Sequence, residues 1–175
     1  VCCNFAGVGT PMKTLGKDGP CPLDKYRRVI DINLVGTFNV LRLACAVMAR
    51  NEAEDGEDRG VIVNTASILG AVGMATAPAY TAAKHGVLGL TQAAAIAYSG
   101  QGVRVNAVGP GFIHTPMVQA LEDDPDTKAA LVAAHPIGRL GQPEEVAELV
   151  VWLASTRASF VTGSYYPVDG GYLAR

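Results

Sequence analysis

The sequence predicts an α/β fold built on a parallel sheet, and two observations predict it. Gly60-Val61-Ile62-Val63-Asn64-Thr65 is a short apolar run rather than an alternation, which is how a strand covered on both faces reads. Strand-like and helix-like segments then take turns along the chain, and strands joined through helices lie parallel in one sheet. The 175 residues suffice for one domain with a substantial core, and no internal repeat, low-complexity segment or linker divides residues 1–175.

Composition narrows the function classes. With 49% hydrophobic and 17% charged residues the chain is apolar for a soluble protein. A net charge of −2 without a basic stripe gives no electrostatic case for a nucleic-acid partner. No uninterrupted apolar run approaches the ~20 residues of a membrane span, so no membrane partner is expected. The opening VCCNFAG has neither the basic start nor the cleavage site of a signal peptide. Cys2, Cys3, Cys21 and Cys45 form no C-x-x-C and take no zinc-ligand spacing with a histidine. They are expected as reduced thiols of a cytoplasmic protein, and no metal is expected.

Taken in order, Val1-Cys2-Cys3 followed by Asn4-Phe5-Ala6-Gly7 reads as the end of a buried strand entering a turn. A chain rarely begins mid-strand, so an N-terminal portion is expected to precede it. Residues 8–23, with three prolines and three glycines, read as a loop. Asp24 is the expected cap of a helical pattern from Leu23 to Met48, one long helix or two joined by a kink, with the poor helix formers Asn33, Gly36 and Asn39 inside it. Residues 49–60 read as a polar, acidic loop without a catalytic role. Strand 60–65 then leads to Ala66-Ser67, at the C-terminal end where open parallel sheets hold ligands.

A Gly/Ala/Pro loop over 70–78 precedes a helix from Tyr80 to Ser99, apolar almost all round, which implies burial on more than one side. The strand 103–108 ends at Gly109-Pro110-Gly111, where the chain must leave the sheet and the backbone can approach a ligand closely. Residues 112–135 read as a helical segment laid over a site rather than a core element. Pro143, followed by Glu144 and Glu145, starts a helix well, and the last strand falls near Tyr165–Val168.

One pair carries a chemical suggestion by itself. Tyr80 and Lys84 are four residues apart, so a helix stacks them on one face. A phenol with a pKa of roughly 10 is a poor base at neutral pH, and a neighbouring ammonium favours its ionised form. Alone, the pair fits an ordinary exposed helix face as well as a proton-transfer site.

Six motifs in order decide between these. Asn4-x-Ala6-Gly7, Asn33 within D-I-N-L-V-G, Ser67, Tyr80-x-x-x-Lys84, Pro110-Gly111 with Thr115-Pro116-Met117, and Asp169-Gly170-Gly171 together resemble the short-chain dehydrogenase/reductase family over essentially the whole chain. Phe5 stands where the family's turn carries a second Asn. The family's Gly-rich turn after its first strand, and the residue that selects NAD or NADP, have no counterpart here. The resemblance therefore implies a doubly wound, Rossmann-like parallel sheet lacking its first three strands, the C-terminal part of an NAD(P)-binding domain.

What the resemblance implies for function is reversible hydride transfer between the nicotinamide of NAD or NADP and a secondary alcohol or ketone. Tyr80 would be the general acid/base, Lys84 would lower its pKa and bind the nicotinamide ribose, Ser67 would hold the substrate oxygen, and Asn33 would keep a water beside Lys84. Asn4, Ala6, Gly7, Pro110, Gly111, Ile113 and Thr115, with Tyr80 and Lys84 themselves, would contact the cofactor. Leu69, Met74, Met117 and Leu121 would give the substrate an apolar wall, with His114 a possible polar contact. His85 and His135 read as packing or surface residues. A non-catalytic NAD(P)-binding scaffold, or a related epimerase or dehydratase, is the alternative. The two apolar helices imply a homodimer or homotetramer.

Overall fold

The computed structural model describes residues 1–53 and 58–175, so the middle of the expected acidic loop, residues 54–57, lies outside the described residues. The elements run β1 (Cys2–Asn4), a small hairpin of β2 (Leu15–Gly16) and β3 (Gly19–Pro20), α1 (Leu23–Ile30), α2 (Gly36–Met48), β4 (Gly60–Thr65), α3 (Pro78–Tyr98), β5 (Val103–Pro110), α4 (Pro116–Glu122), α5 (Pro125–Ala133), α6 (Pro143–Ala154) and β6 (Tyr165–Val168). The main sheet has the order β1-β4-β5-β6, and every neighbouring pair in it is parallel. The four strands expected from the sequence are its four strands.

Alternation along β4 explains how both faces become covered. Ile62 points to a cluster with Leu41 and Cys45 of α2, Ala94 and Ala95 of α3, and Val103 and Val105 of β5. Val61 and Val63 point the other way, onto Val146, Val150 and Leu153 of α6. Each fully buried aliphatic side chain of this kind contributes roughly 1.5–3 kcal/mol of transfer free energy. Two polar residues of β5 face α6, and both are satisfied. Arg104 donates to the carbonyls of Leu153, Ser155 and Val161 and to Asp58, while the Asn106 amide bonds Val161 O and Ser164 N–H. They tie the C-terminal end of α6 to the sheet.

Four local features differ from the sequence reading. The loop over residues 8–23 contains the β2–β3 hairpin, turned by Gly19 at φ +115°. The residue capping α1 is Pro22, with no side-chain cap, and Asp24 sits in the first helical turn instead. Between α1 and α2, Asp31–Val35 form a π-helical turn in which the Gly36 N–H reaches back five residues to Asp31 O. The segment 112–135 is split into α4 and α5, because Asp124 caps a new helix that has Pro125 at its first position.

Leu23–Met48 is long, although charged and polar residues interrupt its apolar run. Counted through the π turn it is a 26-residue helix whose most apolar 18-residue stretch has a mean hydropathy of 1.4, enough by length and composition to cross a bilayer. In this fold it carries the buried polar residues Asn33 and Thr37, and it lies against α3 and the sheet.

Candidate active site

The expected site residues converge at the C-terminal ends of β1 and β4. Ser67 follows β4 in extended conformation and caps a single 3₁₀ turn, Ile68–Gly70. Its Oγ accepts the Leu69 N–H at 3.2 Å, and its carbonyl accepts the Gly70 N–H at 2.8 Å. Tyr80 and Lys84 project from the first turns of α3, which Pro78 opens. The Lys84 Nζ lies 5.3 Å from the centre of the Tyr80 ring and donates to Thr65 O at 2.7 Å.

Burial governs the proton chemistry of this pair. Desolvation lowers the Lys84 ammonium to about 8, because little water remains to solvate its charge. Desolvation also raises the Tyr80 phenol above its ordinary value near 10, and the hydrogen bond with Ser67 opposes that rise. The sequence expectation was that Lys84 would lower Tyr80. In this structure burial is the larger effect and its sign is the opposite. Tyr80 is a protonated donor at neutral pH, beside a lysine whose proton is loosely held.

Asn33 is fully buried at the π turn, next to the pair. Its Oδ1 accepts the Val8 N–H at 3.0 Å, and its Nδ2 donates to Val8 O at 2.9 Å and to Val29 O at 3.0 Å. Both amide hydrogens are therefore used on backbone. With these bonds the Asn33 side chain clamps the loop that follows β1. A methyl group on Gly7 would lie 2.5 Å from Asn33 Oδ1 and 3.8 Å from Lys84 Nζ, so only glycine lets this loop pass between them.

The expected cofactor residues divide in two. Ala6 and Gly7 lie on the loop beside Lys84, and Pro110 ends β5. Gly111 is anchored through its N–H to Val168 O, and Thr115 caps α4 with its hydroxyl on Ile113 O. Asn4 instead turns its amide into the sheet, donating to Asn64 Oδ1 at 2.8 Å, and Asn64 donates on to Thr91 Oγ1 at 3.0 Å. The Ile113 side chain joins the core under α6, leaving its backbone at the site edge.

Among the tentative substrate residues, Leu69 is buried at 6% exposure, so its side chain belongs to the core beneath the 3₁₀ turn rather than to an open wall. Met117 is 51% exposed and lies across the loop after β1, its Sδ 3.4 Å from a methyl placed on Gly9. Leu121 is exposed and Met74 half-buried. His114 pairs with Glu122 at 2.8 Å rather than facing the site, and Lys128 approaches the same nearly buried carboxylate at 3.5 Å. His135 is a packing residue wedged between Phe112 and Tyr172, and His85 is exposed. A separate cleft of about 310 Å³ opens beside Gly111, Ile113, His135 and Asp169, and none of Asn33, Ser67, Tyr80 or Lys84 lines it.

Three features escaped the sequence reading. Val8 partners Asn33 through backbone alone, which no side chain announces. The Asn64–Thr91 link had a signal, a lone Asn at the end of an apolar run. Tyr165 donates its phenol to Ser67 O at 2.9 Å from 98 residues away, a pairing no local pattern reveals.

Would a nicotinamide dinucleotide suit these residues? An ammonium carries three donors, and Lys84 spends one, on Thr65 O. The remaining donors, close to the Tyr80 phenol and above a loop of small residues, match a vicinal diol such as a ribose, so the donor set fits.

Comparison with known proteins agrees with the geometry. The family model described as Enoyl-(Acyl carrier protein) reductase matches residues 1–173. Cyclohexanol dehydrogenase from Acinetobacter sp. (strain SE19) is 48% identical over 154 residues, which cover 87% of this chain and 57% of that protein. Cis-4-hydroxycyclohexanecarboxylate dehydrogenase from Sinomonas cyclohexanicum is 46% identical over 169 residues, covering 97% of this chain and 64% of that one. A crystal structure of a putative 2-deoxy-d-gluconate 3-dehydrogenase from Agrobacterium tumefaciens with bound NADP superposes with a TM-score of 0.87 at 37% identity, covering 99% of this chain and 67% of that chain. The chain thus spans 57% and 64% of the two curated relatives. On its sheet order, its site and these matches, the chain belongs to the short-chain dehydrogenase/reductase family.

Proposed function

We propose that the protein oxidises a secondary alcohol to a ketone, reversibly, with NAD or NADP. One observation carries this reading: Tyr80 and Lys84 share a buried helix face, with Ser67 in hydrogen-bonding reach of the phenol and spare lysine donors beside it. Asn33, Ser67, Tyr80 and Lys84 form the site, and Ala6, Gly7, Pro110, Gly111, Ile113 and Thr115 border the cofactor. The names of both curated relatives, alcohols on a cyclohexane ring, support an alicyclic or similarly apolar substrate, as does Met117 across the mouth.

When bound, nicotinamide supplies the redox chemistry, taking the hydride from the carbinol carbon or returning it. The chain's own residues manage the proton. In ketone reduction the Tyr80 phenol donates to the substrate oxygen, and in alcohol oxidation the phenolate accepts from it. Ser67 fixes that oxygen at bonding distance, and Lys84, while it keeps its charge below about pH 8, favours the phenolate left when Tyr80 gives up its proton. The Asn33 clamp holds the residue 7–8 loop close to the lysine.

We also propose a single domain in a cytoplasmic homodimer or homotetramer. The shallow apolar groove of Leu34, Val35, Phe38, Gly86, Gly89 and Leu90 supports self-association through the π turn, α2 and α3. Light scattering tests this, and a monomer contradicts it. The activity is tested by nicotinamide absorbance with cyclic and acyclic secondary alcohols. Cofactor binding without turnover across such a panel favours the scaffold reading.

A further inference from the structure

We infer that Tyr165 is the positioning residue for Ser67, holding the 3₁₀ turn that aims the serine hydroxyl at the substrate oxygen. The inference rests on the proposed role of Ser67 and adds a residue that acts through it. Tyr165 opens β6, paired in register with Ala107 of β5. Its ring packs on Ala66, Val87 and Ala107, and its phenol donates to Ser67 O at 2.9 Å. The same carbonyl accepts the Gly70 N–H at 2.8 Å, and Ser67 Oγ accepts the Leu69 N–H. Two bonds therefore reach Ser67 from within its own turn; from outside, the Tyr80 phenol bonds the Ser67 hydroxyl, and Tyr165 supplies the bond to the Ser67 backbone.

A second observation points the same way. A methyl on Gly109 would fall inside the Tyr165 ring, so Gly109 is the gap through which the ring crosses β5 to reach Ser67. Gly109 does not have a positive φ, so its lack of a side chain serves the ring rather than the backbone. Burial, with the nearby Asp169 charge, pushes the Tyr165 phenol up to about 12, so it is a protonated donor at neutral pH. A tyrosine that merely filled space would leave its hydroxyl to solvent or to a distant partner, not to the backbone of a site residue.

The test is Tyr165→Phe, which keeps the ring and removes the bond, in the whole protein. Amide exchange at Leu69 and Gly70 is expected to accelerate about fivefold, the loss of one ordinary hydrogen bond, with the rest of the sheet unchanged. The turnover number is expected to fall by a similar factor while the cofactor KM stays constant. In a Ser67→Ala background Tyr165→Phe is expected to cost nothing further, since it acts only through Ser67. Gly109→Ala, whose methyl would overlap the Tyr165 ring and its hydroxyl and displace both without removing either, should reproduce the exchange effect. Unchanged exchange at Leu69 and Gly70 overturns the inference whether or not the protein turns over any alcohol, and so does a turnover loss that adds to Ser67→Ala. Absence of turnover in the wild type counts against the proposed function alone, because the exchange measurement needs no substrate.

Discussion

The Lys84 ammonium donates to the Thr65 carbonyl oxygen at 2.7 Å, where α3 crosses the end of β4. This one bond serves a cation that is only 4% exposed, and it does not restore the lost hydration. The folded protein therefore holds its Lys84 proton at about 8, against 10.5 in an unfolded chain.

The consequence for stability has a definite sign. Between pH 8 and 10.5 the unfolded chain binds the extra proton, so the Lys84 contribution to stability rises with pH across that window. The penalty is fully present below pH 8 and amounts to roughly 3 kcal/mol. Urea denaturation of wild type and Lys84→Met at pH 7 and 9.5 isolates it, because the raised phenol of Tyr80 is common to both proteins. The wild type is expected to gain on the variant as pH rises.

Asn33 gives a prediction about the loop after β1. Asn33→Ala leaves the Val8 N–H and two carbonyls without their partner in a buried place. It should lower unfolding free energy by about 2–3 kcal/mol. Gly7→Ala forces a methyl against Asn33 Oδ1 and should weaken the same clamp. The double variant should then cost less than the sum of the two, as measured by denaturant titration.

Glu122 predicts how α4 and α5 are held over the site. Its carboxylate, 6% exposed, joins His114 at the entry to α4 and Lys128 of α5. Glu122→Ala should raise the alcohol KM several-fold and make residues 112–135 more open to limited proteolysis. The cofactor KM should change little, since Gly111 is anchored independently to Val168 O. An unchanged alcohol KM would separate this cluster from substrate binding.

Much of this was legible in the sequence wherever a short-range pattern carried it. The β4 strand is an apolar run after a glycine, and α6 begins with Pro143 followed by Glu144 and Glu145, so both read directly. The Tyr80–Lys84 face follows from helical spacing alone. The π turn did not read, because Asn33 and Gly36 announce a poor helix without saying that one bond lengthens by a residue. The β2–β3 hairpin is two pairs long and mostly exposed, so no hydrophobic pattern marks it. Leu69 looked like a pocket wall because sequence shows its type but not which way its turn faces. Tyr165 and Ser67 meet only after β5 and β6 have paired, which no local window contains.

The central claim is that Tyr80 exchanges the substrate proton, and alcohol oxidation by wild type and Tyr80→Phe across the alkaline range tests it most directly. The raised phenol of Tyr80 must ionise to act as base, so the wild-type rate should climb as pH rises. Tyr80→Phe should bind NAD or NADP as tightly as wild type, lose at least about a hundredfold in turnover, and show no such climb. A Tyr80→Phe enzyme that keeps the wild-type rate and the same alkaline climb would contradict the account.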